Sequence, residues 1–434
     1  MIPLGLQHVL AMYAGAIAVP LVIGNAIGLS GTEIAIIVAA DLFICGIATF
    51  IQSFGLTKYV GIRLPVTLGV AFMSVGPLIG IAKQGGIQTM FGSVIAAGIF
   101  MLLIAPLFGK LIKLLPKVLI GAIAIIVGIT LVPVGFNNIV NGHEGGAEPI
   151  SVLLAVIVVA VVVVFNKYFK GFLQTLSILF AIIMGAIVAA FIGLVDFTPV
   201  ADAAWFSIVQ PFYFGLPKFE FSSIITMIIV ALVIMIESSG IFIAVSEICS
   251  TKVDTKDVVK GLRAEGIATT LGGIFNAFPY TTFAHNMGLL TMTKVTSRFV
   301  VSTAGIIFII LGLLPKFAAL ATIIPKPVFG GDMVVMFSMV IVSGINMLKD
   351  VDLNDNKNTL ILAVAVGLGD GSSIVPGFYN QFPDWFIQIF GHSGIVIGAL
   401  SGMLLNIILN FKTLFGRDCN KEQPTKETET IQKD

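Results

Sequence analysis

Two short stretches, Leu64–Thr67 (LPVT) and Phe278–Thr281 (FPYT), interrupt apolar segments at equivalent places in the two halves of this 434-residue chain. Each contains a proline, Pro65 or Pro279, which lacks a backbone N–H and breaks a helix interior but is tolerated near a helix start. One such proline is typical of an ordinary kink in a membrane helix. Two at matched positions predict a pair of broken helices, and this pair decides the fold.

The composition around these stretches is that of a membrane protein. The chain is 57% hydrophobic and 11% charged, whereas a soluble domain carries about 25% charged residues. Runs of the roughly 20 apolar residues needed to cross a bilayer recur from end to end, and a helix satisfies its own backbone in lipid. The sequence therefore predicts an all-α polytopic membrane protein with fourteen spans. We place them at residues 3–23, 33–55, 65–82, 89–109, 118–135, 150–166, 172–194, 222–248, 262–277, 279–292, 299–321, 328–347, 359–376 and 393–411.

The two halves share sequence beyond the prolines, which indicates an internal repeat. Gly46–Thr49 (GIAT) reappears as Gly266–Thr269, and Pro116–Gly121 (PKxxxG) as Pro325–Gly330. With the proline pair, three matches occur in the same order, at offsets of 220, 214 and 209 residues. Seven spans per repeat is an odd number, so the second copy is expected to be inverted in the membrane. Inverted repeats are typical of secondary transporters, whose substrate sites lie near the midplane at interrupted helices.

The basic residues orient the chain. With the N-terminus inside, only Lys83, Lys218, Lys316 and Lys326 of the 24 Lys and Arg residues face out, which leaves 20 on the cytoplasmic side. The first span has no basic n-region and no small-residue cleavage site, so we interpret it as a membrane helix and not a secretory signal. We expect both termini, including a polar and disordered tail after Phe411, to be cytoplasmic.

Ionisable residues inside predicted spans are expensive to bury and are therefore candidates for function. Glu237 lies in the middle of the eighth span, where it would accept N–H donors of a ligand and carry a proton. Glu265 precedes Gly266 and fits either a proton site or a solvated helix start near Arg263. For His8, in the first span, a structural role is favoured over a proton relay.

Polar and aromatic residues next to the broken stretches are candidates for ligand contact. His285 and Asn286 directly follow the second stretch and are predicted to contact or support a ligand. Phe72 and Phe283 end the two matched segments, where each would stack on a flat ring, face lipid or pack in the core.

Two further acids lie in predicted spans. A structural role is favoured for Asp41, and Asp332 fits a structural or a functional role equally.

The remaining patterns exclude several classes of function. No Cys/His spacing indicates a metal site or a disulfide framework, and no phosphate-binding loop indicates ATP as the energy source. A net charge of +1 gives no reason to expect a nucleic-acid partner. We predict a transporter and not an enzyme, with no catalytic residue, no metal and no cofactor other than a coupling proton.

Four motifs resemble those of the nucleobase–ascorbate transporter family. The stretch Phe278–Lys294 resembles the family signature at Asn286, Gly288, Thr293 and Lys294. Gln7–His8 resembles the Gln-His pair of the family's first span. Glu237–Phe242 resembles the eighth-span motif of bacterial xanthine and uric acid permeases, and Ala264–Gly266 resembles the acidic ninth-span motif. The resemblance covers essentially the whole chain.

The resemblance implies a fold of 7+7 inverted repeats in which spans 3 and 10 are each a short strand followed by a half-helix. It also implies a core domain of spans 1–4 and 8–11 and a gate domain of spans 5–7 and 12–14. The implied boundaries are 1–117 and 222–326 for the core domain, 118–221 and 327–412 for the gate domain, and 413–434 for the tail.

The function implied by the resemblance is proton-coupled import of a purine nucleobase, xanthine or uric acid, by an elevator-like movement. The partners implied are the nucleobase, membrane lipid of the plasma membrane and a second copy of the chain in a homodimer. Carried over by position, Glu237 binds the N–H groups of the base, and backbone amides near Phe72, Phe283 and Ala284 meet its carbonyls. Asn286 supports the site.

The residues expected to carry the coupling proton are Glu237, Glu265 and His8.

His285 departs from the family pattern. At this position xanthine-type members have Gln and uracil-type members have Glu. A glutamine amide presents a donor and an acceptor on one fork, but neutral imidazole has them on opposite sides of its ring. The identity of the purine is therefore open, and a protonated His285 would favour ionised urate.

Other readings stay open at the level of sequence. A uracil or other nucleobase symporter differs only in the ligand. A sulfate- or bicarbonate-type anion transporter shares the inverted architecture, but it is expected to prefer a basic or neutral site, which Glu237 argues against. A channel or a non-transporting sensor would not need an acid in mid-span beside paired broken helices.

Overall fold

The computed structural model of the chain is almost entirely helical. It describes residues 1–111, 116–143, 145–283, 285–349, 351–375, 377–379, 381–383, 386–387, 390 and 394–411. The predicted tail 413–434 lies outside the described residues. The helices are α1 (Ile2–Ala26), α2 (Gly31–Phe50), α3 (Val75–Leu111), α4 (Lys117–Val140), α5 (Pro149–Tyr168), α6 (Phe172–Thr175), α7 (Ser177–Phe191), α8 (Thr198–Asp202), α9 (Phe221–Ile248), α10 (Thr255–Ile274), α11 (His285–Thr293), α12 (Arg298–Gly312), α13 (Pro315–Thr322), α14 (Lys326–Leu348), α15 (Asn356–Ile374) and α16 (Gly394–Leu409).

Seven of the described helical segments are each long and apolar enough to cross a membrane, and α12 with α13 makes an eighth if that bent pair is one span. The other predicted spans fall on shorter or more polar helices. The long segment α3 is interrupted at Gly86, whose φ of 81° and ψ of 169° are not helical. A glycine tolerates that conformation, and it separates the predicted third and fourth spans.

One predicted span is bent. Residues 299–321 form two helices, α12 and α13, that meet at an angle of 79°. Pro315 is the first residue of α13. Proline lacks an N–H and its ring clashes with the preceding turn, which favours the break at this point.

Two strands follow the two prolines and pair with each other. Strand β1 (Leu68–Val70) lies antiparallel to β2 (Tyr280–Thr282), with Gly69 opposite Thr281. Main-chain hydrogen bonds extend the pairing on both sides, from Ala71 N–H to the Pro279 carbonyl at 2.9 Å and from Phe283 N–H to the Thr67 carbonyl at 3.0 Å. Each half of the chain thus contributes one strand, and the backbone groups freed by the broken helices satisfy one another inside the membrane.

The internal repeat is visible in how the helices cross. A Cβ on Gly46 of α2 would lie 2.5 Å from the Gly305 carbonyl of α12, and one on Gly266 of α10 would lie 3.0 Å from the Gly98 carbonyl of α3. These distances require backbones in direct contact. Gly46 and Gly266 are equivalent in the sequence repeat, so the same close crossing occurs twice, each time between a helix of one half and a helix of the other.

The described helices pack as two sets. The strand-bearing set contains α1, α2, α3 and α9–α13, joined through α2 with α12, α3 with α10, and β1 with β2. The second set contains α4, α5, α7 and α14–α16, in which α4 and α14 form the most extensive pair. The two sets meet beside the strands, where Phe72, just before α3, contacts Phe337 of α14.

Candidate functional site

The carboxylate of Glu237 lies beside the middle of β2. Thr281 Oγ1 donates to Glu237 Oε2 at 3.4 Å, and the Thr281 hydroxyl is also 3.0 Å from that of Ser238. Ser238 Oγ in turn accepts from the main-chain N–H of Thr282 at 3.3 Å. Glu237 is partly buried, and its Oε1 has no hydrogen-bond partner among the described residues. One oxygen of an acid in the membrane interior is therefore available to N–H donors of a ligand.

Thr282, the last residue of β2, contacts a second acid, Glu265. Thr282 Oγ1 donates to Glu265 Oε1 at 2.7 Å. Glu265 is fully buried, near the middle of α10, which begins ten residues earlier at Thr255. This burial excludes the solvated helix start that the sequence left open. Its Oε2 is buried and has no partner within the described part of the chain, a position that a proton or a ligand atom would satisfy.

Tyr280, the first residue of β2, contacts a third acid, Asp41 of α2. Tyr280 Oη donates to Asp41 Oδ1 at 2.6 Å, and both side chains are fully buried. On the same helix, Cys45 Sγ donates to the Leu68 carbonyl at 2.8 Å, and Thr49 Oγ1 accepts from Leu68 N–H at 3.0 Å. Helix α2 is thus bound to both strands, which agrees with the structural role predicted for Asp41.

Two phenylalanines lie at the ends of the strands. The rings of Phe72 and Phe283 are nearly parallel, at an interplanar angle of 11° with centroids 5.8 Å apart. Phe337 from α14 meets Phe72 edge-on at 5.9 Å. Gly15 of α1 lies against the pair, because a Cβ there would be 3.3 Å from the Phe283 ring. The predicted aromatic residues are brought together as a stack at the border between the two sets of helices.

The remaining predicted site residues lie on other helices or outside what is described. Ala284 lies outside the described residues, as do the side chains of His285 and Asn286, whose main chain begins α11. His8 is buried in α1. Asp332 is fully buried in α14, and neither of its carboxylate oxygens has a partner among the described residues.

Sequence reasoning singled out the acids but missed their donors, Tyr280, Thr281 and Thr282. A signal for one of them was present. A tyrosine hydroxyl buried in a membrane needs an acceptor, and Asp41 is an acid in mid-span that needs a donor. Nothing in the sequence indicated which of the three acids each strand residue would meet.

Comparison with known sequences gives consistent matches over the whole chain. A model described as "Permease family" (Xan_ur_permease) matches residues 1–378. The uric acid permease PucJ of Bacillus subtilis (strain 168) is 46% identical over 433 residues, which is 98% of this chain and 95% of the relative. The xanthine permease of the same organism is 45% identical over 94% of this chain and 93% of its own length. The uric acid transporter UacT of Escherichia coli (strain K12) is 39% identical over 94% and 86%.

Comparison with solved structures gives the fold. The transmembrane domain of the cyanobacterial bicarbonate transporter BicA aligns with a TM-score of 0.61 and 18% identity, covering 93% of this chain and 96% of that one. SLC26A9 aligns with a TM-score of 0.62 and 11% identity, covering 94% and 66%. At such low identity the likeness concerns architecture alone. It confirms the predicted 7+7 inverted-repeat fold, in which spans 3 and 10 are strand plus half-helix.

Proposed function

The chain belongs to the permease family that its resemblance indicated, the nucleobase–ascorbate transporters, and we propose that it imports xanthine or uric acid together with protons. It is a multi-pass membrane transporter and not an enzyme. The relatives named above are permeases for uric acid and xanthine, which favours a purine over uracil.

The observation that carries the proposal is the Glu237 carboxylate beside the paired strands, whose Oε1 has no hydrogen-bond partner among the described residues. Oxopurines carry several N–H and C=O groups on the edges of a flat ring. Glu237 Oε1 accepts one N–H, and Oε2 remains available beside the Thr281 hydroxyl. Hydrogen bonds to a charged acceptor contribute about 1.5–3 kcal/mol each, so this residue accounts for much of the expected affinity.

The aromatic stack supplies the flat surface that a purine requires. Its ring centroids are 5.8 Å apart, whereas a base held between two rings requires about 7 Å, twice the roughly 3.5 Å contact distance of carbon atoms. A base inserted between Phe72 and Phe283 would therefore have to move the two rings apart. Because Phe72 also meets Phe337 of α14, substrate binding would be felt by both sets of helices.

Proton coupling is assigned to Glu265, with Glu237 next to it along β2 and His8 as a further relay. The two acids are joined through adjacent threonines and Ser238. The unpartnered Oε2 of Glu265 is the atom expected to carry the proton. A proton bound there removes a buried charge and makes movement of the loaded site through the membrane less unfavourable.

The movement proposed is that of an elevator. The core domain of residues 1–117 and 222–326 would slide against the gate domain of residues 118–221 and 327–412, as a homodimer with cytoplasmic termini in the plasma membrane. Support comes from the two sets of helices, which pack mainly within themselves. Both strands and all three acids that they bind lie in the strand-bearing set, so the site would move as one body.

Counterflow of labelled urate and labelled xanthine into proteoliposomes, with a competition panel of nucleobases, tests the ligand. We expect purines with a 2,6-dioxo pattern to compete and uracil to compete weakly. Competition by uracil alone would assign the chain to a pyrimidine instead, and competition by bicarbonate or sulfate would favour an anion carrier. The structures of anion transporters that align here share the fold at 11–18% identity and provide no reason to prefer that ligand.

A further inference from the structure

A cavity lies on the side of the protein predicted to face out. It has a volume of about 310 Å³ and is lined by α1, α3, α4 and α14 together with the turn after α4. We call it the lysine pocket, after Lys83 and Lys326, which line it together with the amides Asn25, Asn137 and Asn141. The sequence predicts no functional role for these five residues. The two lysines served only to orient the chain in the membrane.

The lysine pocket is positively charged and rich in hydrogen-bond donors. Lys83 and Lys326 are exposed, and neither ammonium group has an ion-pair or hydrogen-bond partner among the described residues. None of the described residues that line the pocket is acidic. The C-terminal carbonyls of α1 and α4 point towards the pocket, and each helix end contributes only about half a negative charge. The N-terminus of α14 lies at the same place and contributes about half a positive charge. Two full positive charges therefore dominate.

Three of the four helices around the lysine pocket, α1, α3 and α14, also lead to the aromatic stack. Phe72, just before α3, precedes Lys83 of α3 by 11 residues, and Phe337 follows Lys326 by 11 residues along α14. At about 1.5 Å per residue, each path is about 16 Å long. In α1, Gly15 lies against the stack and Asn25 lines the pocket, ten residues or about 15 Å further on.

This length fits the membrane. The hydrocarbon core is about 30 Å thick, so a site at the midplane lies about 15 Å below the surface. The lysine pocket is thus at the level of the head groups, directly above the proposed purine site and between the same helices. A substrate that enters between the two sets of helices must pass it.

We propose that the lysine pocket is the outer vestibule of the transport path and that Lys83 and Lys326 capture anionic purines, of which ionised urate is the type. This inference rests on the proposed function. A charged cleft raises the local concentration of an oppositely charged substrate and its association rate, and does so less as salt increases. The vestibule would then favour ionised urate over a neutral purine before either reaches Glu237.

The test is uptake kinetics in right-side-out vesicles, with labelled urate in its ionised form and labelled xanthine below its first ionisation. The variants are Lys83→Gln, Lys326→Gln, the double variant and the charge-preserving Lys83→Arg/Lys326→Arg. Lys218→Gln is the matched control, since Lys218 is an exposed lysine predicted on the same side but outside the pocket. Maximal uptake of neutral xanthine reports whether each variant is folded and inserted.

We expect each single Gln variant to raise KM for urate by about three- to ten-fold, and the double variant by more, with maximal uptake unchanged. Xanthine kinetics, the double Arg variant and Lys218→Gln should resemble the wild type, and the urate difference should shrink as salt increases from about 0.05 to 0.5 M. An unchanged KM for urate in the double variant would overturn the inference alone, as would an equal rise for neutral xanthine. A wild type that takes up neither purine would overturn the proposed function, and this inference with it.

Discussion

Three consecutive side chains of β2 each donate a hydrogen bond to an acid from a different helix. Tyr280 and Thr282 reach α2 and α10, and Thr281 reaches α9. Successive side chains of a strand point to opposite faces, so a three-residue strand is enough to contact helices on both sides. Buried acids are unfavourable without donors, and the donors here are hydroxyl groups that do not neutralise them.

Glu237→Gln should abolish saturable purine binding. The substitution preserves shape but replaces an acceptor oxygen by an NH₂ group that faces the N–H donors of the base. Loss of one or two charge-assisted hydrogen bonds corresponds to roughly 10- to 100-fold or more in Kd. The measurement is binding of labelled urate to purified protein, with Glu247→Gln on the exposed face of the same helix as control. Equal affinity in a folded Glu237→Gln protein would show that this acid does not contact the base.

Tyr280→Phe should destabilise the protein, because the carboxylate of Asp41 loses its donor in a fully buried place. An unsatisfied buried group costs about 1–3 kcal/mol. Thermal unfolding in detergent measures this, and Asp41→Asn combined with Tyr280→Phe should be less harmful than the two single effects added together. Tyr13→Phe is the control, since the Tyr13 hydroxyl donates to a main-chain carbonyl, that of Phe317, and not to a carboxylate. Additive effects of the two substitutions would refute the pairing.

Among the elements, the close helix crossings are the part of the fold that tolerates least change. Gly266→Ala should destabilise by about 1–3 kcal/mol, because the added Cβ would lie 2.9 Å from the main-chain nitrogen of Leu102 and 3.0 Å from the Gly98 carbonyl. Gly240→Ala, inside α9 with open space around it, should be neutral or stabilising by about 0.5–1 kcal/mol. Both are measured by thermal unfolding in detergent. A Gly266→Ala protein as stable as the wild type would mean that the two helices separate without loss.

Most of the helices and strands were predictable, because the signals for them are local in the sequence. The prolines at 65 and 279 and the apolar lengths fixed where helices break, and a strand and half-helix follow each proline. The bend between α12 and α13 was missed although Pro315 was visible in the sequence, because prolines also occur inside uninterrupted helices of this chain, as at Pro20 in α1. Side-chain partners across more than 200 residues, such as Tyr280 with Asp41, have no local signal.

In the whole molecule, Glu265→Gln should uncouple transport from protons. The amide oxygen still accepts from Thr282 Oγ1, so the local structure should persist, but an amide carries no titratable proton. We expect counterflow of labelled purine at about the wild-type rate and no accumulation driven by a proton gradient. Glu247→Gln again serves as control. Gradient-driven accumulation by Glu265→Gln equal to that of the wild type would exclude Glu265 from coupling.

The central claim, a purine carrier driven by protons, is tested most directly with the purified wild type in proteoliposomes. An inward proton gradient is imposed, and labelled urate and xanthine inside the vesicles are followed over time. We expect transient accumulation above the external concentration that a protonophore abolishes. Accumulation that is indifferent to the protonophore would contradict proton coupling, and no uptake of either purine by protein with a native unfolding transition would contradict the assignment of the site.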